Sequence, residues 1–526
     1  MSIISFSGRW PEQARLTRRG LVASSLALAG AAACGKSGDP SDMLRVAIDS
    51  EADSLDPLKG QFASAALLYK QLHAPLTEYS PSGGLAPGLA ASWRSDDART
   101  WTFGLTPGLV WSDGAPITSD DVVWTARRAV DPRTGFADLG DFFAVRGARA
   151  ALLGQIAPEE IGVSAPDAHT VVFELDRPVS LFPVLMREFY PLPRHAVEAR
   201  PDDWTRPEHW VSAGPYLLAD QGAMSYRLEK NPRFAGVEGV RIGTIRVDVI
   251  DDGAARARRF RAGDYDLVDR PPGDQLGLLR ERIGDQLRSF PAPILTYIKV
   301  NCASPRLRDV RVRQALSLAI DRAYLNTHFF HGLSTPADRV IPDPEAESAG
   351  PDLDAARARL EDAGYGPGNP LRLTLRASAG DRDRVALAII DDWRRAGVAC
   401  ELLATYPLDL YAAVDGGEYD LALARFDRGL KSDPDFMLQP FAREGFADNT
   451  NWEGGRRPAF DALMREARGE LDRTRRAQLH REAEAELLAD MPNIPLLHER
   501  AWWLVAPRVR ARDDIPPHLW RDLRLG

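Results

Sequence analysis

Trp111-Ser-Asp-Gly-Ala-Pro-Ile-Thr-Ser-Asp-Asp-Val-Val-Trp-Thr-Ala-Arg-Arg128 is the stretch from which the fold can be read outward. Just upstream, Trp101-Thr-Phe-Gly-Leu105 places its large residues at every second position, the period of a half-buried strand, and Pro107-Gly108 separates the two. Ser112-Asp113-Gly114 has turn chemistry, because glycine accepts positive φ and aspartate bonds its own backbone. Thr118 is placed to cap a helix, with Asp121 three residues on, and Asp120 and Asp121 lie where the helix dipole favours negative charge. Val122, Val123 and Ala126 give that helix an apolar face. The stretch predicts strand, turn and capped helix, and carries no chemistry of its own.

The chain has 526 residues, 44% hydrophobic and 27% charged, enough for two or three cores without help from disulfides. Its formal charge of -9 and scattered aromatic residues argue against a nucleic-acid or other polyanion ligand. At the amino terminus, Arg15-Leu-Thr-Arg-Arg-Gly20 is a basic segment with a twin arginine, followed by 13 apolar and small residues, 21–33. That run is short of the roughly 20 residues a bilayer span needs and suits a signal peptide. Ala31-Ala-Ala-Cys34 followed by a Gly/Ser/Asp/Pro linker resembles a bacterial lipoprotein signal, with Cys34 as the acylated residue; an ordinary cleaved signal is the alternative. The twin arginine admits either the folded-protein export route or an ordinary one. Losing residues 1–33 removes four arginines and one glutamate, taking the charge from -9 to -12. Cys302 and Cys400 are left, either to pair or to serve as small buried residues.

Further along, 44–48 alternates as a strand and leads through a polar loop to a helix at 63–72. Strands are expected at 169–175, 214–218, 225–229 and 245–250, and a helix from Arg177-Pro178 to near Arg187. A helix at 254–262 between 245–250 and 263–267 makes a β-α-β unit. Residues 296–301 read as a strand and 309–322 as one amphipathic helix. Strands at 371–375, 398–402 and 419–424 alternate with helices at 355–363 and 382–395. Residues 456–488 are largely helical, with strands at 494–498 and 502–505. The result is an α/β protein with at least two sheets.

Ser54-Leu-Asp-Pro57, Leu85-Ala-Pro-Gly-Leu-Ala-Ala-Ser-Trp93, Trp111-Ser-Asp-Gly, Gly214-Pro-Tyr216, Asn231-Pro232, Phe260-Arg-Ala-Gly-Asp264, Asp309-Val-Arg-Val-Arg-Gln-Ala-Leu316 and Ile494-Pro-Leu496 are each short. In this order they span essentially the whole mature chain. Together they resemble extracytoplasmic solute-binding protein family 5, the oligopeptide-, dipeptide- and nickel-binding proteins of ABC transporters, and within it the oligopeptide-binding branch. The resemblance implies a two-lobed periplasmic-binding-protein-like fold of class II (cluster C) with an inserted domain. After a signal peptide at 1–33 and a linker at 34–43, lobe I would comprise 44–77, 208–295 and 494–526. The insert would be 78–207 and lobe II 296–493, with 296–301 and 492–498 as the hinge. The implied function is a lipid-anchored, monomeric binding component of an ATP-driven importer. It would close on short peptides or peptide-like solutes and deliver them to the membrane permease. A non-peptide solute such as an oligosaccharide, opine or metal chelate, or an exported enzyme or sensor, are the alternatives. No convergent nucleophile and base, DNA-binding domain, cofactor motif or metal site is recognisable, so neither a catalytic residue nor a cofactor is assigned.

In the oligopeptide-binding branch, the loop after the strand matching 421–424 carries an acid that pairs with the peptide's amino group. Here it reads Arg425-Phe-Asp-Arg-Gly-Leu-Lys-Ser-Asp433-Pro434. Aligned on Asp433-Pro434 the anchor falls on Leu430, and aligned on Phe426 it falls on Gly429, so only Asp427 is left nearby to substitute. Arg425, Arg428 and Lys431 add positive charge, leaving room for an anionic or modified ligand, or simply for solvated loop charges. The expected ligand contacts are Gln61 and Phe62 after the first strand, Arg425, Phe426, Asp427, Arg428 and Gly429, and His498 at the hinge return. His328-Phe-Phe-His331 has helical spacing but no third ligand, and reads as a helix end rather than a metal site.

Overall fold

The computed structural model describes residues 42–80, 84–134, 144–343, 348–429, 431–443 and 448–526. The expected signal peptide at 1–33, Cys34 and Leu430 lie outside these. The elements that position the site begin with strand β1 (Met43–Ile48) and helix α1 (Ala63–Leu72). Next come β2 (Ala90–Arg94), β3 (Thr100–Leu105), α2 (Ser119–Val130), β4 (Val163–Asp167) and β5 (Thr170–Glu174). Strands β6 (Tyr216–Gly222), β7 (Ser225–Lys230), β8 (Thr244–Val249), β9 (Leu267–Asp269) and β10 (Leu287–Val300) follow. The chain continues with α3 (Val310–Leu318), α4 (Arg322–Phe329), β11 (Thr335–Pro336), β12 (Arg372–Ser378), α5 (Asp381–Arg395) and β13 (Ala399–Thr405). It ends with β14 (Leu421–Asp427), α6 (Arg457–Gly469), α7 (Arg473–Asp490) and β15 (Asn493–Val505).

The opening stretch folds as its residue types dictate. β3 alternates buried Trp101, Phe103 and Leu105 with more accessible residues. The Asp121 carboxylate accepts the Thr118 N–H at 3.0 Å, one half of a capping box, and α2 buries Val122, Val123 and Ala126. Gly114 has φ 97°, a backbone conformation that favours glycine, and a Cβ there would stand 2.6 Å from the Arg233 guanidinium and displace it. The turn also fastens two parts of the chain together. Ser112 N–H donates to the Ser212 carbonyl at 2.9 Å and Arg233 donates to the Ser112 carbonyl at 3.2 Å. From α2, Arg128 reaches Asp56 in the loop after β1 at 2.6 Å.

Eleven of the described strands form one mixed sheet, in which ten run in the order β13-β12-β14-β10-β15-β9-β1-β8-β7-β6 and β11 pairs with β15. β2, β3, β5 and β4 form a separate four-stranded sheet. β1 lies parallel to both β8 and β9, and β12 lies parallel to both β13 and β14, as crossover helices require. The apolar cores are correspondingly separate. One, with Trp393, Trp452 and Phe460, gathers residues between Leu295 and Leu497. A second, with Phe103, Trp111 and Phe173, gathers residues between Leu58 and Ala213 and also takes in Phe436. A third, with Tyr216, Tyr226 and Trp520, packs beside β1 and β8.

β10 and β15 are what joins the halves of the large sheet. They pair antiparallel from Leu287 opposite Leu504 to Lys299 opposite Asn493, with register shifts between Pro291 and Ile294 and between Thr296 and Tyr297. Both strands are longer than the sequence suggests. Pro291 and Pro293 break the alternation ahead of 296–301 but are absorbed at the irregularity, where a missing donor costs least. The two expected strands at 494–498 and 502–505 fuse into one.

A second difference concerns 309–322, expected as a single helix. It ends at Leu318, and the Asp321 carboxylate accepts the Tyr324 N–H at 2.8 Å to begin α4. Arg322 is thereby carried inward, where it donates to the carbonyls of Ala337 and Pro495 at 2.9 Å and of Ser317 at 3.0 Å. The helix expected up to Arg187 shrinks to the single turn Phe182–Leu185. Cys302 and Cys400 are both free thiols.

Candidate functional site

β14 pairs with β10 along its whole length, but β12 meets it only at Leu421 and Ala422. From 423 to 427 its other edge has no ladder partner among the described residues. Unpaired strand backbone of this kind can accept an added extended chain. Where β14 ends, the Asp427 carboxylate accepts the Gly429 N–H at 2.8 Å, and Gly429 turns the chain with φ 60°.

The charges around this end are mostly matched. Arg425 donates to Glu499 on β15 at 3.1 Å and lies 3.5 Å from Asp427, and Glu499 also accepts from the Thr296 hydroxyl. Arg428 donates its backbone N–H to Pro293 and its side chain to Gln439, at 3.1 and 3.3 Å. Lys431 pairs with Glu188 at 2.9 Å, and Asp433 with Arg476 at 3.4 Å. Beyond the end of β9, Arg270 adopts a left-handed φ of 44°, a conformation that costs on the order of 1 kcal/mol for a non-glycine residue. Ion pairs at 3.0 Å to both Asp49 and Asp269 hold it there. Burial opposes its charge, but Asp269, Asp49 and, across the gap, Asp427 raise its pKa. Asp269 is itself buried, which raises its pKa, and its Oδ1 has no hydrogen-bond partner among the described residues.

Arg425, Asp427, Arg428 and Gly429 thus stand at the end of β14, beside Glu499 and within electrostatic reach of Arg270. Gln61 and Phe62 stand at the start of α1, where both backbone N–H groups donate to Asp53, at 2.7 and 3.2 Å, and the Phe62 ring is 54% exposed. Phe426 is different, since its ring is buried against Tyr297 and Phe441 in the core beneath β14. His498 lies on β15 between Leu295 of β10 and Thr335 of β11. Burial pushes its pKa down to about 4, so it is neutral at pH 7.

Asp49, Asp269, Arg270, Glu499, Lys70, Arg187 and Glu188 carry no motif and were not singled out from the sequence. Lys70 is in the last turn of α1. Arg187 is only 7% exposed, its Nε donates to the Val184 carbonyl at 3.1 Å, and its guanidinium lies 3.9 Å from the centre of the Tyr79 ring. Burial would raise the pKa of Glu188, but Lys431, Lys70 and Arg187 together hold it below the usual carboxylate range. A separate cavity is lined by Glu78, Leu89, Val110, Phe234 and Arg521, but its charges are matched internally, Arg521 with Glu78 and Asp522. Among the described residues no group of three or more His, Cys, Asp and Glu is arranged to hold a metal ion. His328 stacks on Tyr324 at 3.9 Å, while His331 lies past the end of α4 with φ 55°.

A family model described as bacterial extracellular solute-binding proteins, family 5 Middle, matches residues 84–449. The probable deoxycholate-binding periplasmic protein YgiS of Escherichia coli is 28% identical over 490 residues, 89% of this chain and 90% of that protein. The periplasmic murein peptide-binding protein MppA of the same organism is 28% identical, covering 88% of each. Among solved structures, the unliganded open form of MppA superposes with a TM-score of 0.81 at 26% identity, over 93% of this chain and 98% of that one. OppA of Haemophilus influenzae in complex with the peptide RPPGFSPFR gives 0.71 at 26% identity, over 93% and 99%. Among the described residues no helix is long and apolar enough to cross a membrane.

Proposed function

The chain belongs to the bacterial extracellular solute-binding proteins of family 5, and on that premise we propose that it is the capture component of an ATP-driven importer for short peptides or peptide-like solutes. Lobe I (44–77, 208–295 and 494–526), with the insert at 78–207, closes on lobe II (296–493) about the paired strands β10 and β15, and the closed form is what the membrane permease reads. Cys34 tethers the mature protein to the membrane through a lipid. Gln61, Phe62, the segment Arg425 to Gly429 and His498 border the ligand, with Phe426 holding the loop from below.

The observation that carries this reading is the edge of β14 at 423–427, which has no ladder partner among the described residues and ends at Asp427, within electrostatic reach of Arg270 and its partners Asp49 and Asp269. An extended peptide adds to such an edge through main-chain hydrogen bonds, which give affinity without reading side chains. The carboxylates at the end of the edge suit its amino group, with Asp427 in place of the acid that the loop lacks. Relatives named as murein peptide- and oligopeptide-binding proteins support a peptide, and the higher TM-score to an unliganded open form supports an open resting state. A second reading, a non-peptide solute on the same scaffold, is favoured by Gly429 and Leu430 at the two aligned anchor positions and by the relative named as probably deoxycholate-binding.

Native mass spectrometry of the protein purified from its own host separates the two. A bound mixture of short peptides is expected, and a single non-peptide mass would remove the peptide part of the proposal.

A further inference from the structure

Three side chains converge where α1, the segment after Phe182–Leu185 and the loop after β14 meet: Lys70, Arg187 and Lys431, with Glu188 among them. Glu188 is engaged by Lys431 at 2.9 Å. Asp433, the other carboxylate acting on Arg187, is paired with Arg476. That leaves Lys70 and Arg187 poorly matched. Among the described residues the Lys70 ammonium makes no hydrogen bond or ion pair, and the two terminal nitrogens of Arg187 make none either. Burial, then Lys431 and Arg187, lower the pKa of Lys70 in spite of Glu188. Of the neighbouring groups, Tyr79 lies under Arg187, His518, edge-on to Tyr79, is kept neutral by burial and by Lys70, and Glu78 is paired with Arg521.

Three cations around the single carboxylate of Glu188 leave an excess of positive charge, which is unfavourable in a resting protein unless something anionic comes to it. A guanidinium held over an aromatic ring, with neither terminal nitrogen hydrogen-bonded among the described residues, is also pre-organised for two parallel bonds to a carboxylate.

We propose that Lys70 and Arg187 form a subsite for a carboxylate carried by the ligand, set apart from the Asp427 end of β14. The assignment rests on the reading that the ligand lies where these elements meet. It adds that the ligand is anionic at one end, whether the carboxylate is a peptide's or another organic acid's.

The test reads Lys70 directly in the full mature chain. Its rate of acylation by an amine-reactive acetyl ester is followed by peptide mass spectrometry, with exposed Lys59 as internal control. Sodium acetate, against sodium chloride of equal ionic strength, is expected to slow labelling of Lys70 at least threefold while leaving Lys59 unchanged, and Arg187→Met is expected to abolish the protection. Equal labelling in the two salts, or equal protection of Lys59, overturns the subsite on wild-type protein alone, so the result does not depend on the variant folding. Tri-alanine and its carboxamide then separate the sources. Protection by the free acid at far lower concentration than by the amide assigns the carboxylate to a peptide. Protection by acetate with neither peptide effective keeps the subsite and removes the peptide reading.

Discussion

The loop that follows β14 and the recess between Lys70 and Arg187 both bring positive charge to the same part of the molecule, but in opposite condition. In the loop, Arg425 has Glu499 and Asp427, and Lys431 has Glu188. In the recess, Lys70 and Arg187 have only Glu188, already paired with Lys431, and Asp433, already paired with Arg476. The loop is where the sequence shows an excess of charge, and the recess is where the fold leaves charge available. Positive residues in a row therefore say little about what a site attracts until their partners are known, and those partners come here from Glu188 and Glu499, far away along the chain.

The largest effect that bears on this contrast is acid sensitivity. His73 is held to a pKa of about 4 by burial, and His518 to about 3 by burial and by Lys70, against an ordinary value of 6.5. A lowered folded-state value means the unfolded chain takes up the proton first. The stability these rings contribute is therefore full above pH 6.5 and is lost as the pH falls from there to about 4 for His73 and about 3 for His518. Between pH 7 and 4.5 these two rings together cost roughly 5 kcal/mol of stability. Urea unfolding at a series of pH values should show that slope, and His518→Phe should remove about half of it. A flat profile over the window would mean the recess is wetter than its packing implies, and would weaken the contrast at its root.

Next in size is a buried arginine of the matched kind. Arg322 is as inaccessible as Arg187 but spends its donors on Ala337, Pro495 and Ser317. Arg322→Leu strands those acceptors, and about 3 kcal/mol or more of stability should go with them, read from the shift in the urea midpoint. A loss under 1 kcal/mol would show that counting partners does not separate structural cations from available ones.

How far the sequence reaches follows from the same distinction. The helix at 63–72 and the turn and cap around Trp111 were legible, because each depends on neighbours within a few positions. The break at Leu318 was not, because an apolar pattern continues through it and only the inward pull on Arg322 explains the stop. β10 was half legible, since its prolines are tolerated only through an irregularity set by β15. At the site, the departure at Arg425 to Asp433 could be seen by its motif. Lys70 drew no notice within the helix at 63–72 and Arg187 read as a helix end, because how well a charge is matched is a property of the folded chain and leaves no local trace.

A smaller effect tests the Asp427 end. If that carboxylate receives an amino group, tri-alanine should bind about tenfold more tightly than its N-acetyl form, about 1.4 kcal/mol, and Asp427→Asn should erase the difference in calorimetric titrations. Equal affinities in the wild type would reassign Asp427 to Arg425 and Gly429 alone, making the loop wholly structural.

The smallest expected effect is the most discriminating. Arg187→Met removes one neutral-acceptor hydrogen bond, to Val184, and a contact with the Tyr79 ring, which together stabilise by about 1–2 kcal/mol. It also removes a buried cation that only Glu188 and Asp433, both already paired, compensate, and so relieves its repulsion with Lys70, an offset of similar size and opposite sign. The urea midpoint should therefore stay within about 1 kcal/mol of wild type. A structural arginine cannot be lost so lightly, as Arg322→Leu should demonstrate in the same assay. Should both substitutions cost the same 3 kcal/mol, Arg187 would have a partner in solution, and its recess would have no need of an anion from outside.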